Sequence, residues 1–161
     1  MGIDYIQKAN TFADVLRAFN TTTAAPDLSS SLTTRIASIT VADPRMVGAR
    51  RGDFPFVCVN IARASENETQ IGDFSGRRKE KNINYEIWGF YKKEGLSKPS
   101  TANMLDTYQM ASNLEAVIKR NGTFSGTALH VGIVDTDFTQ YEENNVIKVL
   151  KIDVQVRYFY T

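Results

Sequence analysis

Between residues 4 and 19, Tyr5, Ile6, Ala9, Phe12, Ala13, Leu16 and Phe19 recur at the i, i+3, i+4, i+7 spacing of an amphipathic helix. Lys8, Asp14 and Arg17 fall on its other side. From Asn20 to Thr34 the period disappears into a Ser/Thr-rich connector. Such a composition buries too little apolar surface to offset its ordering entropy, so a surface loop is expected there. Alternation returns over Arg35 to Val41 as a short predicted strand, and Asp43-Pro44 marks a turn. A basic loop from Arg45 to Asp53 follows, broken by Gly48 and Gly52.

The run Phe54-Pro55-Phe56-Val57-Cys58-Val59-Asn60-Ile61 is apolar at consecutive positions, which predicts a central strand covered on both faces. Pro55 has no N–H to give a ladder and belongs at the strand's start. A second strand over 83–91 puts Ile83, Tyr85, Ile87 and Tyr91 on one face and Asn84, Glu86, Trp88 and Phe90 on the other. Between the two, residues 63–82 hold only Ile71 and Phe74 as large apolar side chains. A long hairpin loop projecting from the body is the economical reading.

After a polar turn at 92–100, a helix over 101–120 carries an apolar stripe of Met104, Leu105, Tyr108, Ala111, Leu114, Val117 and Ile118. Ser100 or Thr101 can cap its start. Lys119 and Arg120 suit its negative end, and Asn121-Gly122 supplies a left-handed stop. Leu129, Val131 and Ile133 predict a strand, 135–145 a turn, and 146–160 a long final strand. That last strand sets Val146, Leu150, Ile152, Val154, Val156, Tyr158 and Tyr160 against Asp153, Gln155 and Arg157. The sum is an α+β fold: one mixed, mostly antiparallel sheet with two main helices packed on one face and a projecting hairpin. No internal repeat interrupts it, so 1–161 is expected to form a single domain.

The composition narrows what such a fold does. The chain has 161 residues, 42% hydrophobic and 23% charged, with a formal charge of +1. That near-neutral balance exerts no global pull on nucleic acid or anionic lipid. Cys58 is the sole cysteine, so no intramolecular disulfide can form. No signal-like start and no run of eighteen apolar residues is present, which predicts an intracellular product outside the membrane. The three Asn-x-Ser/Thr matches, at Asn20, Asn67 and Asn121, then read as chance.

Candidate chemistry is thin, and each candidate has a simpler structural account. His130 is the only histidine, so a triad or a metal site would need partners from elsewhere. Cys58, in the most apolar strand, suits a buried inert thiol. Gly122-Thr123-Phe124-Ser125-Gly126 places its serine one position late for a nucleophile elbow, and after a helix. Asp135-Thr136-Asp137 could hold a divalent cation but fits a turn, as does Glu142-Glu143 beside Asn144-Asn145. Trp88 and Phe90 share a face and are expected in the core. No cofactor or metal is expected, and no enzymatic role. A small metal-dependent hydrolase, with His130, Asp135 and Asp137 converging, is the rival from a different class.

A contact surface is the alternative to chemistry. Along the hairpin the charges change sign repeatedly: Arg63, Glu66, Glu68, Asp73, Arg77, Arg78, Lys79, Glu80 and Lys81. Together with Asp153, Gln155 and Arg157 on the polar side of the last strand, these are the candidate interface residues.

The layout resembles the tail terminator proteins of tailed bacteriophages, with tail-completion and head–tail neck proteins as near neighbours. The resemblance spans Tyr5 to Tyr160. It rests on the N-terminal helix, the strand Phe54-Pro55-Phe56-Val57, and the return strand Tyr85-Glu86-Ile87-Trp88-Gly89-Phe90. Helix 101–120 and the ending Arg157-Tyr158-Phe159-Tyr160 complete it. The connector 20–34 departs from the more compact members. The resemblance implies a virion protein at the tail–neck junction, assembled in the bacterial cytoplasm as a homo-oligomeric, hexameric ring. Its partners would be the tail tube protein and neck or head-completion proteins, with DNA crossing the lumen unread. A head–tail neck adaptor has the same size and habit.

Overall fold

The computed structural model describes residues 3–21, 27–32, 34–43, 54–68, 79–91, 101–124, 128–138 and 147–160. In chain order they form α1 (Tyr5–Ala18), β1 (Ser38–Val41), β2 (Phe56–Glu68), β3 (Lys79–Tyr91), α2 (Thr101–Arg120), β4 (His130–Asp137) and β5 (Lys148–Tyr160). The strands make one five-stranded sheet in the order β1-β2-β3-β5-β4. β1 runs parallel to β2, and every other neighbouring pair is antiparallel. The fold is α+β with a mixed sheet, as the alternation of apolar positions predicts.

Both helices cover the same face. Phe12 and Leu16 of α1, with Leu114, Val117 and Ile118 of α2, close on Val57 and Val59, on Ile83, Tyr85 and Ile87, and on Leu150, Ile152 and Val154. The Asp4 carboxylate caps α1 by accepting from the Gln7 N–H at 3.0 Å. Phe12 stacks at a tilt on Tyr85, their ring centres 4.7 Å apart. Beneath them the hydroxyls of Tyr85 and Tyr158 lie 3.0 Å apart, so each buried phenol has a polar partner.

The described part of the connector 20–34 is not the solvated loop its composition suggests. Leu28 is fully buried, and Asp27, Ser29 and Ser30 are almost so. The missing ingredient is hydrogen bonding, which lets the side chains of Asp27 and Ser29 and the backbone of Leu28 and Ser30 be buried, although the Ser30 hydroxyl finds no partner among the described residues. Asp27 accepts from the N–H groups of Thr21 and Ser29, each at 2.9 Å. Ser29 Oγ donates to Asn20 Oδ1 at 2.6 Å and accepts from the Ile36 N–H at 3.0 Å. From α2, the Asn113 amide donates to the carbonyls of Leu28 and Ser30 at 3.0 and 2.8 Å.

α2 has the predicted bounds but a rotated apolar stripe. Thr107, Met110, Ala111, Asn113, Leu114, Val117 and Ile118 are buried, whereas Met104, Leu105 and Tyr108 are exposed. Gly122 does not take the left-handed conformation expected of it. Phe124 does, at φ 45°, and its buried ring meets Phe12 edge-on at 4.8 Å. A left-handed non-glycine residue costs about 1–2 kcal/mol, here offset by burial of the ring. The polar turn 92–100 with its cap Ser100, the loop 44–53 and Glu142 to Asn145 lie outside the described residues, as do Val146 and the side chains of Thr101 and Tyr160.

The strands run further than apolar content alone indicates. Residues 63–68 and 79–82, expected in a loop, extend β2 and β3, with the register continuing to Glu68↔Lys79. Residues 135–137, expected in a turn, belong to β4. Both extensions begin at a bulge, between Ile61 and Arg63 and between Ile133 and Asp135. The extra residue shifts the alternation by one, which in sequence reads as the end of a strand. Pro55 sits just ahead of β2, as its missing N–H requires, and its carbonyl accepts from Ala37 at 2.8 Å.

Candidate functional site

The sheet face opposite the helices carries the polar side chains, and the pairing arranges them in rows across the strands. Phe56, Phe90 and Val149 form the first row, and Cys58, Trp88, Lys151 and Asp137 the second. Asn60, Glu86, Asp153 and Asp135 make a third row, then Arg63, Asn84, Gln155 and Gly132 a fourth. Ser65, Asn82, Arg157 and His130 follow, and Glu80 beside Phe159 comes last. Successive rows stand about 6.7 Å apart, two residues of extended chain.

The first two rows hold a small second core. Phe56 and Phe90 stack at 4.6 Å and 14°, joined by Phe54, Cys58, Ile147, Val149 and the half-buried Trp88. Trp88 and Phe90 are thus packed, but on the side away from the helices. Trp88 Nε1 donates to Glu86 Oε2 at 3.1 Å, and the Lys151 ammonium lies 5.6 Å from the indole centre. Cys58 is fully buried here.

The middle of the face is acidic. Asp153 sits between Glu86 and Asp135 in one row, with Asp137 in the next. Burial raises its carboxyl above the usual value, repulsion from Glu86, Asp135 and Asp137 adds to this, and Lys151 opposes it from 3.8 Å. A shallow pit of about 270 Å³ opens beside it, lined by Arg63, Asn84, Glu86, Val134, Lys151 and Asp153 among others.

The predicted interface residues divide between the two faces. Arg63, Asp153, Gln155 and Arg157 share the open face. Glu80 does too, but it is buried and paired with Arg157. Lys81 instead points with the helices and lies 5.7 Å from the Tyr5 ring centre. A hydrogen bond with Tyr5 raises the Lys81 pKa, burial opposing it. Glu66 is opposite Lys81 in the register. Glu68 and Lys79 are paired backbone positions whose side chains lie outside the described ones, and Asp73, Arg77 and Arg78 lie outside altogether. Reading by charge alone missed Glu86 and Asp135, because a bulge decides where Asp135 points.

The residues of the rival hydrolase reading do not converge. His130 and Asp135 stand two rows apart, roughly 13 Å along β4. Among the described residues, no group of three or more His, Cys, Asp or Glu is arranged to hold a metal ion. No helix of the described residues is long and apolar enough to cross a membrane.

No family model matches the chain, and no curated protein sequence matches it. A chain in the solved structure titled "Virion of native gene transfer agent (GTA) particle" is similar in shape at a TM-score of 0.48 and 10% identity. That match covers 98% of this chain and 100% of the other.

Proposed function

We propose that this protein is a structural part of a phage-like particle: a ring that caps the end of a tail tube, stops its growth and presents a docking surface to the head or neck. The observation that carries this reading is the two-sidedness of the sheet. One face is sealed beneath two helices, while the other, beyond the packed cluster at Phe56, Phe90 and Val149, carries rows of unlike charge with acidic residues at its centre. Such a surface suits matched protein contacts, since charge pairs across an interface fix register and exclude wrong partners. The pattern resemblance to tail terminators adds the kind of assembly: six copies, with the tube on one side and the neck on the other.

The mechanism is physical. An unfinished tube exposes an unsatisfied assembling surface, and a ring complementary to it on one side only leaves no site for the next tube ring. Closed rings form through heterologous contacts, in which a patch on one copy meets a different patch on the next. The hairpin 63–82 is proposed to reach the neighbouring copy or the tube.

Electron microscopy of the purified protein mixed with tail tubes tests this. Rings at one tube end, with growth arrested, are expected. Rings that bind a portal complex and ignore tubes would make the protein a neck adaptor, and absence of binding to either would overturn the reading. Reversing Arg77, Arg78 and Lys79 to Glu should abolish joining in a subunit that still folds, because like charges placed across a matched interface cost several kcal/mol.

A further inference from the structure

The outward side of α2 is unusual for a surface helix. Leu105 and Tyr108 are 57% and 43% exposed, Tyr108 with its ring meeting Phe138 edge-on at 5.0 Å, and Ser112 and Ala116 continue the same stripe, also exposed. These positions oppose the buried stripe of Met110, Leu114 and Val117. A helix facing water on that side is expected to be charged. Here no charge appears on the stripe until Lys119 and Arg120, both exposed. Favourable contact with the negative helix end accounts for those two cations. It does not account for three preceding turns of exposed apolar and small side chains.

Resting on the ring reading above, we infer that this stripe is covered by a second copy of the chain, the open sheet face of one subunit lying over α2 of the next. The chain itself carries the complement. The open face centres on Glu86, Asp153 and Asp135, of which Asp135 is exposed. Asp137 adds a fourth carboxylate in the next row, where Lys151 stands, and Arg63 lies one row to the other side. A cationic helix tip brought to that row sets opposite charge against Glu86, Asp153 and Asp135, which stand side by side across three strands. Small residues at Ser112 and Ala116 let a helix approach a sheet closely. The two patches lie on opposite sides of the sheet, so the contact is head-to-tail, the type from which closed rings are built. Each α2 would then be enclosed between its own sheet and its neighbour's.

Sedimentation velocity over a range of concentrations tests the contact, with circular dichroism confirming that each variant is folded. The wild type should associate, more weakly as salt is added. Lys119→Glu with Arg120→Glu should weaken association about tenfold or more, and so should Asp135→Lys alone. Combining the three should restore most of the loss, and Tyr108→Asp should weaken association with no charge partner to rescue it. A wild type that stays monomeric at every concentration overturns the contact. So does association indifferent to these changes, or a charge loss that the combination does not recover. Rings that still cap tubes in the presence of all these variants would refute this contact and leave the ring reading standing. Oligomers that form through it and ignore tubes would do the reverse.

Discussion

Met110 of α2 rests on Gly89 of β3: a Cβ at Gly89 would stand 3.0 Å from the Met110 Cε and 3.0 Å from Leu150 Cγ. The glycine brings the helix down onto the sheet. Met110 is flexible and can yield, but Leu150 is gripped at its branch point. Gly89→Ala should therefore cost about 1–3 kcal/mol by overpacking. Urea denaturation measures it, and a Met110→Ala background should recover part of the loss. A cost below about 0.5 kcal/mol would mean that the helix is free to lift.

Asn113 should matter as much as an apolar core residue. Its amide holds the carbonyls of Leu28 and Ser30, and Gln109 donates to its oxygen at 2.9 Å. Asn113→Ala leaves two carbonyls without a donor and should destabilise by about 1–3 kcal/mol. Limited proteolysis should then cut within 20–34 before anywhere else. Equal protection in variant and wild type would show that the connector is anchored by other contacts.

The rotated stripe of α2 makes a contrast within one helix. Leu114 is fully buried, so Leu114→Ala should cost about 2–5 kcal/mol through the cavity it leaves. Leu105, well exposed, should tolerate Leu105→Ala within about 0.5 kcal/mol in the free subunit. Similar costs for the two, read from thermal or chemical unfolding, would contradict the orientation of the helix.

Asp153 gives a pH dependence with a definite sign. Its folded carboxyl holds a proton more tightly than the ordinary value of 3.8, chiefly through burial. The folded state therefore binds more protons than the unfolded chain in that window, and stability falls as pH rises through it. Asp153→Asn should raise the melting temperature at neutral pH and bring no gain in acid below the carboxylate range. Because the side chain is 31% exposed, solvent screens the effect and the gain is small. A lowered melting temperature at neutral pH would mean that the Lys151 contact outweighs the crowding.

Periodicity located both helices and all five strands, because each buries a face and must repeat at its own interval. It placed Leu114, Val117 and Ile118 inside correctly and Met104, Leu105 and Tyr108 wrongly. Met110 is apolar too, and nothing local says which of two overlapping stripes meets a sheet. The burial of 27–30 was illegible for another reason: part of what holds it is the Asn113 amide on the carbonyls of Leu28 and Ser30, more than eighty residues away. The open face was half legible. Asp153, Gln155 and Arg157 follow from simple alternation in β5, whereas Asp135 and Arg63 lie beyond bulges and change sides.

Those bulges make two positions spare lengths of chain. Val134 is 67% exposed and Ala62 is exposed as well, so either should accept almost any substitution. Each should also accept outright removal. Without Val134, Asp135 would follow Ile133 directly and still stand opposite Asp153, and Thr136 would keep Glu115 of α2, its partner at 2.5 Å. A deletion scan should therefore pass over Val134 and Ala62, yet turn a strand over wherever it removes a residue from the unbroken alternation of β5.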